Sequence, residues 1–112
     1  MRHALRSLSF MAAISLLAAP AVAADAAAGH RIAQENCARC HTIEKGGAFK
    51  LRPPSFQSMA IYRTGEDIWQ RILSPNPHSN MPDTQWVLTP GQIQDVVAYI
   101  TSLDVPVTVP AQ

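Results

Sequence analysis

Two cysteines and a histidine form the most chemically specific pattern in this sequence. Cys37, Cys40 and His41 are spaced as Cys-x-x-Cys-His, which is the attachment motif of c-type haem. Two thiols at this spacing can each add to one vinyl group of a haem, and the histidine that follows can turn its imidazole onto the iron. The sequence therefore predicts one covalent haem c, attached through Cys37 and Cys40, with His41 as an axial ligand.

Other uses of the cysteine pair are less consistent with the rest of the sequence. A structural zinc site needs four protein ligands, but Cys37 and Cys40 are the only cysteines and only His41 and His78 follow them. A thioredoxin-like redox pair is expected beside a βαβ pattern, and the sequence shows no strand alternation. A plain disulfide stays open as an alternative, although it leaves the adjacent His41 without a role.

The first residues have the features of a secretory signal peptide. Arg2 and Arg6 supply a positive start, residues 8–19 are apolar, and small residues precede a cleavage point near Ala24. The apolar run is too short to span a bilayer comfortably. We therefore expect residues 1–24 to be removed on export to the periplasm, which leaves no transmembrane segment.

The remaining chain is predicted to be one small domain, residues 25–105, followed by a proline-containing tail, residues 106–112. The full sequence has 112 residues and a net charge of +1. No basic stripe is dense enough to indicate a nucleic-acid partner. A domain of this size gains stability from a covalent cross-link, and an attached haem would also fill its core.

Periodicity and breakers predict an all-α chain. Helices are expected over residues 25–36, from about Glu66 and from Pro90, with loops over 42–58 and 74–88. The loops contain glycine and proline pairs or repeated prolines, which interrupt any regular period.

Capping signals support the second and third of these helices. Thr64 and Asp67 have the spacing of a capping box, as do Thr89 and Gln92. The last helix also carries an apolar stripe at helical spacing. The residues of that stripe are Ile93, Val96, Val97, Ile100 and Leu103.

An iron bound by His41 has a second axial position, for which methionine is a common ligand in electron-transfer cytochromes. Two methionines follow the signal segment, Met59 and Met81. Pro82 biases Met81 to an extended backbone, which suits a side chain that reaches inward, so we predict Met81 as the ligand. Met59 is interpreted as a core gap-filler, and His78 remains an alternative ligand.

The order of these motifs resembles class I cytochromes c of the small monohaem bacterial periplasmic type. The resemblance covers the whole chain after the signal segment. It runs through Gly29, Cys37-x-x-Cys40-His41, Pro-Pro-Ser-Phe at 53–56, Asn80-Met81-Pro82, Leu88-Thr89-Pro90 and the segment 97–103.

This resemblance implies a cytochrome c fold, with three to five helices wrapped around one haem. It implies that the first and last helices cross closely at Gly29, with Tyr99 beside the crossing. It also implies that Pro54 presents its carbonyl to the imidazole of His41. The chain departs from the family in having Ala33 where an aromatic residue is common.

The implied function is that of a monomeric periplasmic electron carrier and not an enzyme. Its redox partners would be a periplasmic dehydrogenase, a membrane cytochrome complex or a terminal oxidase. Two alternatives remain open: a haem c subunit of a periplasmic dehydrogenase complex, and a ligand-binding haem protein with a labile sixth site.

Overall fold

Four helices make up the regular structure in the computed structural model, which describes residues 22–76, 80–81 and 87–104. The helices are α1 (Ala26–Asn36), α2 (Phe56–Tyr62), α3 (Gly65–Leu73) and α4 (Pro90–Thr101). Within the described ranges the only β-type pairing is an isolated bridge between Leu51 and Pro54. The fold class is therefore all-α, as the sequence predicts.

Helix α1 begins where its capping residue predicts. The Asp25 carboxylate accepts hydrogen bonds from the N–H groups of Ala27 and Ala28, at 2.8 and 3.1 Å. These bonds satisfy two of the amides that the first turn of a helix leaves without partners. The Asp25 N–H donates to Asp95 Oδ1 at 2.8 Å, so the start of α1 is also tied to α4.

Helices α3 and α4 each begin with a complete capping box. Thr64 and Asp67 exchange bonds at the start of α3, and Thr89 and Gln92 do so at the start of α4. Each box satisfies two backbone amides reciprocally. The predicted starts of both helices agree with the structure to within a residue.

The prediction of a loop over residues 42–58 was wrong at its end, because α2 begins at Phe56. The Pro53-Pro54 pair breaks the chain before this point, but Ser55 then acts as an N-cap. Its hydroxyl accepts a hydrogen bond from the Ser58 N–H at 3.3 Å. Serine is a preferred N-cap residue, so Ser55 allows a helix to start directly after the two prolines.

Helices α1 and α4 cross at a position that only glycine allows. A Cβ atom placed on Gly29 would lie 1.9 Å from the Asp95 carbonyl oxygen and 2.9 Å from the Val96 nitrogen. Real non-bonded atoms do not approach this closely, so the absence of a side chain permits the two backbones to touch. The crossing expected at Gly29 is therefore present.

One hydrophobic core joins all four helices. Its buried side chains are Ala33, Ile43, Phe56, Ala60, Ile68, Ile72, Leu88, Ile93, Val96, Tyr99, Ile100 and Leu103. Val97, predicted as part of the apolar stripe, is only half-buried, whereas Tyr99 is buried. Among the described residues no helix is both long enough and apolar enough to cross a membrane.

Residues 1–21 of the predicted signal segment and the predicted tail, 106–112, lie outside the described residues.

Candidate functional site

The Cys-x-x-Cys-His motif is a turn that continues directly from α1. Cys37 caps the C-terminus of the helix, and its N–H donates to the Ala33 carbonyl at 2.8 Å. The Cys37 carbonyl then accepts from the N–H groups of Cys40 and His41, at 3.1 and 2.9 Å. The spacing of the motif is thus held by backbone bonds, and α1 orients it.

The two thiols have different surroundings. Cys37 is half-buried and packs against the hydrophobic core, whereas Cys40 is exposed. Burial raises the pKa of the Cys37 thiol to about 11. A thiol with so high a pKa is almost fully protonated at neutral pH and is a weak nucleophile without further activation.

The imidazole of His41 is oriented by a backbone carbonyl. Its Nδ1 lies 2.7 Å from the Pro54 oxygen. A carbonyl oxygen can only accept, so Nδ1 must carry the proton, and in the neutral ring Nε2 then has a free lone pair. This tautomer is the one that can bind iron through Nε2, and a metal-ligating histidine normally donates its other N–H in this way. The residues present therefore fit a haem iron.

The two residues after His41 are also held in place. The Thr42 carbonyl accepts from the Phe56 N–H at 2.9 Å. The Ile43 carbonyl accepts from the Tyr99 hydroxyl at 2.9 Å. Three consecutive residues, 41 to 43, thus make one long-range hydrogen bond each.

Aromatic rings continue from His41 towards α4. The centroids of His41 and Phe56 are 5.9 Å apart, and those of Phe56 and Tyr99 are 6.1 Å apart. Burial and the nearby Glu44 carboxylate raise the pKa of the Tyr99 phenol, so its hydroxyl stays protonated and can donate.

The predicted sixth ligand lies against the same core. Met81 is half-buried and packs on it, and the preceding Asn80 is exposed. Met59 also packs on this core. The alternative ligand, His78, lies outside the described residues.

Two contributors to the site were not found in the sequence. Phe56 belongs to the motif at 53–56, but its ring contact with His41 joins residues far apart in sequence and has no local pattern. His30 binds Glu44 through Nε2 at 2.8 Å and packs on Tyr99 with centroids 4.7 Å apart. Residues 14 positions apart in sequence give no periodic signal for such a contact.

Comparison with known proteins identifies the family. A sequence model described as cytochrome c oxidase, cbb3-type, subunit III, matches residues 24–100. Cytochrome c-552 from Bradyrhizobium diazoefficiens is 32% identical over 100 residues, which cover 88% of this chain and 94% of that protein. The chain belongs to the class I c-type cytochromes. Cytochrome c2 from Pararhodospirillum photometricum is 50% identical to this cytochrome over 34 residues, or 30% of each chain. No solved structure gives a significant match.

Membership of this family implies a covalently bound haem c and redox partners. The cytochrome is therefore a haem c electron carrier. When bound, the haem supplies an iron that alternates between the ferric and ferrous states.

Proposed function

We propose that this cytochrome carries single electrons in the periplasm, with one haem attached through Cys37 and Cys40 and with His41 and Met81 as axial ligands. The observation that carries the proposal is the 2.7 Å bond from His41 Nδ1 to the Pro54 oxygen. It leaves Nε2 as the ligating nitrogen and holds the ring against rotation. Two permanent axial ligands leave no open position for a substrate, which suits electron transfer.

The surroundings of Cys37 and Cys40 suit thioether attachment. Cys37 packs on the core, so a thioether formed there would lie against the apolar interior. Cys40 is exposed and would mark the edge that faces solvent. Electrons would enter and leave on this exposed side, while the core excludes water from the opposite face and helps to keep the potential high.

A partly apolar, basic surface beside Pro54 supports contact with a partner. The side chains of Phe49, Leu51 and Tyr62 are 51%, 66% and 70% exposed, and Phe49 and Tyr62 pack edge to face. Lys50 and Arg52 are exposed in the same segment. A small, transient contact with an acidic redox protein fits this combination of apolar centre and positive charge.

Replacing Met81 with alanine tests the proposed ligation. We expect the oxidised protein to lose the weak far-red band of methionine bound to ferric iron, and the reduction potential to fall, because the soft thioether favours ferrous iron. The measurement is an absorption spectrum and a redox titration of protein expressed with a c-type maturation system. Met59→Ala is the matched control and should keep the band.

Three results would contradict this ligation. The band could persist in Met81→Ala, the native protein could lack the band and change its haem spectrum only in His78→Ala, or the reduced native protein could bind carbon monoxide without denaturation. The last result would favour the ligand-binding alternative with a labile sixth site.

A second candidate function is that of a haem subunit in a larger complex. The description of the matching family model as subunit III of a cbb3-type oxidase favours this candidate, and a dehydrogenase complex would use a haem subunit in the same way. Gentle fractionation of the native host separates the two functions. A free carrier elutes alone at the size of a small monomer, whereas a subunit co-elutes with a larger enzyme and is lost from it only on denaturation.

A further inference from the structure

Tyr99 reaches the segment that carries His41 from the opposite end of the chain. Its hydroxyl donates to the Ile43 carbonyl across a sequence separation of 56 residues. Tyr99 is 9% exposed and Ile43 is 5% exposed, so water does not compete well for this bond. A buried carbonyl is costly to leave unpaired, and the bond therefore fixes the backbone two residues after His41.

The ring of Tyr99 makes a second connection to the same place. It contacts Phe56 with an interplanar angle of 58°, and Phe56 contacts His41 with an angle of 48°. Both centroid separations lie in the range of favourable tilted aromatic pairs. Phe56 is 2% exposed, so its ring has little freedom to move if Tyr99 stays in place.

A third contact restrains Tyr99 itself. The ring of His30 packs on it, and His30 is bound in turn to Glu44. Glu44 directly follows Ile43, so the phenol is enclosed between α1 and the same segment that it holds.

We infer that Tyr99 is a positioning residue for His41. Through the Ile43 carbonyl and through the Phe56 ring it keeps the imidazole in the orientation in which Nδ1 donates to Pro54. The inference rests on the proposed function, in which His41 is an axial iron ligand. Tyr99 acts through its neighbours and takes no part in ligation.

The experiment compares Tyr99→Phe with the native haem-loaded protein. The substitution keeps the ring and removes the hydroxyl. We expect the His41 Nδ1 proton of the reduced protein to exchange with solvent about tenfold faster in NMR spectra, because losing one buried hydrogen bond changes an opening equilibrium by about this factor. We also expect the reduction potential to rise, because a weaker Nδ1–H bond makes the imidazole a less basic ligand.

Ile93→Val is the control for lost stability alone. Ile93 lies on the same helix and is 0% exposed, so removing one methylene lowers stability without removing a polar bond. Its Nδ1 exchange and its potential should equal those of the native protein. If Tyr99→Phe behaves like Ile93→Val in both measurements, the positioning role is wrong.

A second variant covers the case in which Tyr99→Phe does not fold. The chain has two tyrosines, so 3-fluorotyrosine incorporated in a Tyr62→Phe background labels Tyr99 alone. The fluorinated phenol is a stronger donor and should slow the exchange of the His41 proton. Unchanged or faster exchange would overturn the inference.

The same spectra separate this inference from the proposed function. If the His41 ring signals of the native reduced protein lack the large upfield shifts that a haem would cause in a ligand of its iron, His41 is not the ligand and both proposals fail. If those shifts are present and the Tyr99 variants leave His41 unaffected, only the positioning role fails.

Discussion

The α1–α4 crossing and the segment from His41 to Phe56 support the same site by different means. The crossing depends on close steric packing. The two helix backbones can meet there because Gly29 has no side chain. The segment has little regular structure and is held by single hydrogen bonds, including those to the Pro54 and Thr42 carbonyls. The crossing orients Cys37 through α1 and Tyr99 through α4, whereas the segment carries His41 itself.

This difference determines how each region should respond to a substitution. A close contact between backbones cannot be relieved by moving one side chain, so an added atom must shift a whole helix. A network of hydrogen bonds can lose one member while the others remain. We therefore expect substitutions at the crossing to be severe and to affect the entire fold, and substitutions in the segment to be moderate and local.

The largest effect is expected for Gly29→Ala. The new Cβ would meet the Asp95 carbonyl at 1.9 Å, and relieving this overlap should cost about 3 kcal/mol or prevent haem-loaded protein from accumulating. Urea unfolding followed by haem absorbance measures the loss. A loss of stability below about 1 kcal/mol would show that the helices can move apart at little cost and that their packing at the crossing is not rigid.

Gly91→Ala is the matched control for this variant. Gly91 lies in the first turn of α4, and a Cβ there meets nothing within 4 Å. Alanine favours the helix over glycine by up to about 1 kcal/mol, so this variant should be neutral or more stable. The opposite signs expected for two Gly→Ala changes isolate the effect of the contact with Asp95.

A smaller effect is expected for Ser58→Ala. Ser58 lies on α2 and tests the segment through its bond to Lys50. The buried Ser58 hydroxyl lies 2.9 Å from the Lys50 oxygen and 2.7 Å from the Ser55 oxygen. Its loss should cost about 1–2 kcal/mol, since the Ser55 N–H still bonds the Lys50 carbonyl at 2.9 Å. The free energy of unfolding measures the cost, while the haem spectrum should stay native.

Ser102→Ala serves as its control, because this serine is exposed and its hydroxyl donates to the nearby Tyr99 carbonyl, three residues before it, at 2.6 Å. It should change the free energy of unfolding by less than about 0.5 kcal/mol. If Ser58→Ala lowered the free energy of unfolding as much as Gly29→Ala, the segment would lose its structure cooperatively. The distinction between the two regions would then not hold.

The parts that sequence could predict are those with local physical causes. Asp25, Thr64 and Thr89 start three helices through bonds to residues two or three positions away, and such caps are visible in any window of the sequence. The motif from Cys37 to His41 has a fixed chemical spacing.

The parts that sequence could not predict have long-range causes. The contact from Phe56 to His41 requires the turn at Arg52 and Pro53 to bring the chain back, and the bond from Tyr99 to Ile43 joins residues 56 positions apart. Neither leaves a periodic pattern. The resemblance to cytochromes c supplied the crossing at Gly29, which composition and periodicity alone would not indicate.

The smallest effect is expected at a cap that belongs to neither region. Asp67 accepts from the hydroxyl and the N–H of Thr64, at 2.7 and 3.2 Å. These two bonds, the hydroxyl bond most of all, lower the pKa of the Asp67 carboxyl. Because the folded-state pKa lies below that of the unfolded chain, the carboxylate stabilises the fold at neutral pH. This stabilisation is lost as the pH falls through the folded-state pKa.

Asp67→Asn tests this cap against pH. The amide oxygen can still accept from Thr64 but does not titrate, so the variant should be less stable than the native protein at neutral pH. The difference should shrink as the pH falls through the folded-state pKa of Asp67. Unfolding free energies across that range, with the haem spectrum as a check on the site, measure the difference. Because the cap acts within one turn of α3, the spectrum should not change. If the stability of the two proteins changed with pH in the same way, the ionisation of Asp67 would contribute nothing to stability. If the haem spectrum changed, α3 would be coupled to His41 as strongly as the α1–α4 crossing and the segment are.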